Sequence, residues 1–121
     1  VLGYDLLKEL NIDYHVKQAA LSHHERCDGS GYPLGLKTNE IDDHAMIISI
    51  ADVYDAMTSA RKYRTPLCPF EVIAEFEKDE YLQNVLGRHA TEKYIEAKKS
   101  EWADYRAQVS DWEINNYLYK I

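Results

Sequence analysis

Apolar positions in the first 24 residues recur at helical spacing, with Leu2, Leu6, Leu7 and Leu10 in one run and Val16, Ala19, Ala20 and Leu21 in a second. Asn11 to Asp13 separates the runs. Asp13 is placed to cap the second helix, which is expected to end near His23 and His24. Residues 25–41 lose the periodicity and fill with turn formers (Asp28, Gly29, Ser30, Gly31, Pro33, Gly35 and Asn39), the mark of a structured loop. The strongest apolar stretch follows. Capped by Asp42 or Asp43, a helix over about 44–58 carries Ile47, Ile48, Ile50, Ala51, Val53 and Met57 on most of its faces, so it is expected to be central and buried. Residues 59–68 read as a basic connection. Pro69 opens a short helix to about Lys78, and another over 79–87 is stopped by Gly87.

The segment 91–121 is long, charged and aromatic. Ile95, Trp102 and Val109 repeat every seven residues beside Tyr105 and Trp112, and Ser110 with Glu113 fits a capping box, so a second helix is expected to begin there. No stretch alternates with the period of a strand. The expected fold class is all-α.

Composition narrows the function. The 121 residues have room for one domain at most. With 14 basic and 21 acidic side chains the net charge is −7, which argues against a DNA or RNA polymer or an anionic membrane as partner. No apolar run approaches the roughly 18 residues of a membrane span. The chain opens on Val1 without a Met or a signal sequence, which suggests a fragment of a longer protein. Cys27 and Cys68 stand far apart and form no CxxC, so two reduced thiols and a cytoplasmic setting are expected.

Asp52 lies inside the most apolar helix, where a carboxylate is costly unless it is paired, hydrogen-bonded or bound to metal. Asp55 shares its side of that helix. His23 and His24 end the preceding helix. Imidazole and carboxylate together are the donor set of zinc, iron or manganese. On spacing alone an Asp52–arginine pair with two histidines closing a helix end is the simpler reading.

The run His23-His24-Glu25-Arg26-Cys27-Asp28-Gly29-Ser30-Gly31-Tyr32-Pro33 resembles the signature of the HD-GYP family of bacterial metal-dependent phosphohydrolases, many of them cyclic di-GMP phosphodiesterases. The resemblance continues through Gly35-Leu36, Glu40-Ile41, Ala51-Asp52-Val53-Tyr54-Asp55-Ala56-Met57-Thr58-Ser59 and Arg61-Lys62-Tyr63-Arg64, covering residues 1–75. Cys27 stands where an aromatic is usual and Met46 where an arginine is common. The resemblance implies a helical HD-superfamily fold. It implies His23, His24 and Asp52 as ligands of a binuclear or trinuclear centre of iron, manganese or zinc, with Arg61 and Arg64 holding substrate phosphate. Asp28, Gly29, Gly31, Tyr32 and Pro33 would form a structural motif loop, its glycines admitting unusual backbone conformations. Further family ligands, a His-Asp pair and another histidine, precede the segment represented here. His15 and His44 do not match those positions, and His15 is expected at the surface. No complete catalytic set is therefore expected in this chain, which alone should bind metal weakly and hydrolyse little.

From about residue 76 the pattern changes. Leu86-Gly87, Tyr94-Ile95-Glu96-Ala97-Lys98, Glu101-Trp102, Tyr105-Arg106, Gln108-Val109, Trp112-Glu113 and Tyr117 are similar to the C-terminal end of bacterial type-I glutamine synthetases. That resemblance implies a docking or oligomerising tail over 76–121 and no glutamine synthetase activity. Trp102, Tyr105, Val109, Trp112, Tyr117, Leu118 and Tyr119 offer more apolar surface than a lone helix can bury, which fits either intramolecular packing or self-association. Three functions stand at this point: a half-site of a cyclic-dinucleotide phosphodiesterase, a non-catalytic helical interaction module, or a terminal fragment of a glutamine synthetase.

Overall fold

A computed structural model describes residues 2–63, 65–108 and 113–118. The helices are α1 (Leu2–Leu7), α2 (Tyr14–Ser22), α3 (Asp43–Thr58), α4 (Pro69–Lys78), α5 (Glu80–Leu86) and α6 (Arg88–Ala107), with a 3-10 turn at Thr38–Glu40 and a π-helical segment at Ile114–Leu118. Among the described residues no strand forms, and Asp28 and Lys37 make an isolated antiparallel bridge. The class is all-α, as expected. Arg64, Val109, Ser110, Trp112 and Tyr119, and the side chains of Tyr117 and Leu118, lie outside the described residues.

Capping sets the boundaries. Asp13 Oδ1 accepts the His15 amide at 2.7 Å at the start of α2, and Asp42 Oδ1 accepts the His44 amide at 2.9 Å at the start of α3. Asp79 Oδ1 accepts the Leu82 amide at 3.1 Å and starts α5. Each satisfies an amide that the first helical turn leaves unpaired. Pro69 opens α4, and the Glu71 carboxylate accepts the Cys68 amide at 2.8 Å. Gly87 divides α5 from α6 with φ +94°, a left-handed value that a side chain disfavours. α6 begins directly after it, at Arg88.

α3 packs against α2, α4, α5 and α6. The main core joins Ile50 of α3 to Val72, Ile73 and Phe76 of α4, Val85 and Leu86 of α5 and Ile95 of α6. Residues on both sides of position 75 thus share one core. A smaller cluster of Cys27, Ile41 and Ala45, flanked by Leu36 and Met46, sits beneath the loop. On α6 the half-buried Trp102 meets Phe70 edge-on at 5.1 Å and stacks on Tyr105 at 5.4 Å, so this part of the aromatic tail packs within the chain.

The expected burial of α3 on most faces does not hold. α3 buries Ala45, Ser49 and Ile50, one stripe, while Ile47 and Ile48 are 52% and 46% exposed. The reason lies in its neighbours: α1 buries no residue, and α2 buries only Ala19 and Ser22. Leu2, Leu6, Leu10 and Val16 are likewise exposed, so this side of the molecule shows an apolar surface.

Candidate functional site

The site grows from the C-terminus of α2. His23 is its C-cap, with backbone N–H bonded to the Ala19 carbonyl at 3.1 Å. The His23 ring Nδ1 lies 2.7 Å from the same carbonyl. A carbonyl only accepts, so Nδ1 carries a hydrogen, and Nε2 is the nitrogen left for a ligand in the neutral ring. A metal-ligating histidine is oriented in just this way, by a carbonyl on its other nitrogen. The His24 ring sits 4.1 Å from that of His23 and stacks on Tyr32 at 5.0 Å and 20°. Burial lowers the His24 pKa below its ordinary value and the neighbouring His23 and Arg26 lower it further, while Asp52 pulls it up. The neutral imidazole, the form that ligates metal, is favoured.

Asp52 is not buried, contrary to the reading of its apolar surroundings. It is exposed, one turn beyond Ile48 and at the margin of the buried stripe that holds Ala45 and Ser49. Among the described residues no ion pair with an arginine forms at Asp52. Asp55 is also exposed and accepts the Ser59 hydroxyl at 3.3 Å, a local bond at the end of α3. Asp52 is close enough to His24 to bias its charge. Yet His23, His24 and Asp52 do not converge as one tight donor cluster. Among the described residues that convergence is found at His15, Asp42 and His44, whose ligand atoms all lie within 4.8 Å of one another. Arg61 is exposed, beyond the end of α3.

The loop after the histidines is built on a residue that sequence reasoning missed. Glu25 is 2% exposed, and its two carboxylate oxygens accept the Leu34 amide at 2.6 Å and the Leu36 amide at 2.9 Å. The available signal was an acidic residue heading a glycine-rich loop whose amides need acceptors. Arg26 Nη1 donates to the Glu25 carbonyl at 3.0 Å and to Ser49 Oγ at 2.9 Å, tying the loop to α3. Asp28 accepts from the Ser30 amide and hydroxyl, which hold its carboxyl below the usual carboxylate range. Gly29 has φ +83°, whereas Gly31 is needed for space: a Cβ there would lie 2.4 Å from the Arg26 nitrogen and 2.5 Å from the His24 oxygen. Tyr32–Pro33 is a cis peptide. Between the loop and α5 opens a cavity of about 370 Å³ whose lining includes His24, Arg26, Tyr32, Val53, Tyr81 and Leu86.

The Cys27 amide donates to the Val85 carbonyl at 2.8 Å, so α5 anchors the loop from behind. Burial pushes the Cys27 thiol pKa up. The two departures from the HD-GYP pattern meet here. A Cβ on Gly87 would stand 3.1 Å from Met46 Sδ and 3.5 Å from Cys27 Sγ.

The sequence model of the family described as "HD domain" matches residues 1–81. The chain belongs to the HD domain family. This HD-domain chain is 50% identical over 60 residues to a cyclic di-GMP phosphodiesterase of Thermotoga maritima, a stretch covering 50% of the chain and 16% of that protein. It is 35% identical over 91 residues to 3'3'-cGAMP-specific phosphodiesterase 2 of Vibrio cholerae, covering 75% of the chain and 16% of the relative. At the tail it is 52% identical over 44 residues to the glutamine synthetase of Methanocaldococcus jannaschii, covering 36% of the chain and 10% of that enzyme. The chain thus spans about a sixth or less of the length of these relatives.

Proposed function

We propose that residues 1–75 carry one half-site of a metal-dependent cyclic-dinucleotide phosphodiesterase and that residues 76–121 form a helical tail supporting it. The observation that carries this reading is the His23 ring held by the Ala19 carbonyl beside His24, at the edge of a cavity of about 370 Å³. In this reading His23, His24 and Asp52 hold divalent metal. Their nitrogen and carboxylate donors suit iron, manganese or zinc, in a binuclear or trinuclear centre once the remaining ligands are supplied. Bound metal supplies Lewis-acid polarisation of a phosphoryl oxygen and a lowered pKa for water. Arg61 and Arg64 meet the substrate phosphates, for which a guanidinium offers paired donors. Tyr32 gives the substrate an aromatic face and Glu25 keeps the loop in place. The relatives named for cyclic di-GMP and for 3'3'-cGAMP support a cyclic dinucleotide as substrate. No helix of the described residues is long and apolar enough to cross a membrane, and the proposed setting is the cytoplasm, where both thiols stay reduced.

The test has two arms. The chain alone, with cyclic di-GMP and manganese or iron, is expected to show little turnover. In a longer protein that supplies the upstream ligands, Asp52→Ala should lower metal-dependent hydrolysis by at least about 100-fold. Retained hydrolysis in that variant would refute the assignment. A second reading, an interaction module, is favoured by the groove of about 660 Å³ between α4 and α6, edged by the exposed Phe70 and Tyr105. Size-exclusion chromatography with light scattering decides it, since a strict monomer removes self-association.

A further inference from the structure

The starts of α2 and α3 repeat one local pattern. Asp13 caps α2 and fixes the amide of His15, and Asp42 caps α3 and fixes the amide of His44. The fold brings these two Asp-x-His starts together. Asp42 Oδ2 stands 2.8 Å from His15 Nδ1, and Asp42 Oδ1 stands 3.3 Å from His44 Nδ1. The two imidazoles stack at 4.3 Å and 28°. Two nitrogen donors and a carboxylate from two separate helices thus converge, and Asp13 and Asp43 add negative charge near His15.

We propose that His15, Asp42 and His44 form a divalent-metal site, of the borderline transition-metal class of zinc, nickel and copper, that clips the start of α2 to the start of α3. The donor set is two nitrogens and one oxygen, and it leaves a position for water, as in an open tetrahedral site. Metal bonds of about 2.0–2.2 Å put tetrahedral ligands roughly 3.3 Å apart. The present separations of 2.8 and 3.3 Å run to the two different oxygens of Asp42, and one ligand atom from each residue lies within 4.8 Å of the others, so rotation of the two exposed rings closes the set around an ion. The Asp42 side chain is largely covered and held by its capping bond, while the His15 and His44 side chains are 49% and 60% exposed, so the carboxylate is fixed and the rings remain open to an incoming ion. Ligation through Nδ1 moves the hydrogen of a neutral ring to Nε2 and releases a proton only from a ring that is imidazolium, without change of oxidation state. The clip lies where apolar packing is thin, since α2 buries only Ala19 and Ser22. It is separate from the proposed catalytic half-site: His23 follows His15 by eight positions along α2, roughly 12 Å at 1.5 Å per residue.

The test uses this chain after chelator treatment, with zinc chloride and cobalt chloride as probes. The His23→Ala/His24→Ala double variant should still bind one equivalent of zinc by calorimetry. Adding His15→Ala or His44→Ala to it should weaken that binding at least tenfold, with the helical circular dichroism unchanged. In the unaltered chain, substoichiometric cobalt should broaden the imidazole resonances of His15 and His44. The site is refuted if zinc binding disappears with His23 and His24, if it survives loss of both His15 and His44, or if cobalt broadens His23 and His24 alone.

Discussion

Single side chains do most to shape the motif loop. Glu25 supplies both acceptors for two loop amides while itself 2% exposed. Glu25→Gln keeps the shape but places an NH₂ against one of those N–H groups, leaving a buried donor without an acceptor. The expected loss is about 2–3 kcal/mol of folding stability by urea denaturation, and a value near zero would mean that the loop does not depend on the carboxylate. The cysteines divide in the same local way. Cys27 is buried, and burial raises its thiol pKa, so at any pH near neutral its thiolate fraction is lower than that of an ordinary cysteine. Cys68 is exposed. A disulfide reagent at pH 8 should therefore titrate one thiol quickly, lost in Cys68→Ser, and the second only on unfolding. Two fast thiols would contradict the burial of Cys27. The histidine pair was visible in the sequence because it is contiguous. Glu25 was passed over because its partners, Leu34 and Leu36, lie nine and eleven residues away, and nothing local shows which amides a loop turns inward.

Elements were legible where their ends carry their own chemistry. Asp13, Asp42, Pro69 and Gly87 mark boundaries within a few residues because each acts on the turn it occupies. The face of α3 was not legible. Hydrophobicity gives the extent of apolar surface, whereas exposure depends on which neighbour lies on it, and only one stripe of α3 receives neighbours from α4, α5 and α6. Asp52 consequently faces outward with Ile48. The contact of α3 with the loop explains the departure at Met46. Its sulfur lies beside Gly87, next to Cys27, so the two residues unusual for the HD-GYP pattern fill one space. Met46→Arg restores the common residue but puts a charge against this cluster. It is expected to destabilise the chain by about 1–3 kcal/mol. The paired change, with an aromatic at Cys27, should not be additive with it. A neutral Met46→Arg would show that the side chain escapes to solvent.

At the scale of the molecule, two sequence patterns that resemble different families fold around a single core. Val72, Ile73 and Phe76 of α4 stand at the junction between them, with Ile50 on one side and Val85, Leu86 and Ile95 on the other. The hydrogen bond from the Cys27 amide to the Val85 carbonyl joins the motif loop to α5. Sequence patterning separates the two parts because residue types change near 75, but it contains no information on whether their apolar faces meet, and here they do. Cooperativity follows. Removing α5 and α6 would expose Ile50 and Phe76, both now fully buried, and would take away the acceptor of Cys27. Burying a side chain such as Phe76 is worth about 1.5–3 kcal/mol, so loss of several such contacts consumes much of the stability of a small domain. Heat or urea should therefore unfold both parts together, with far-ultraviolet circular dichroism and tryptophan fluorescence, whose two reporters Trp102 and Trp112 both belong to the tail, giving one coincident transition. A chain ending at residue 79 should show no cooperative transition. An early fluorescence change ahead of the dichroism would mean that the tail detaches independently and that the motif half holds its loop without it.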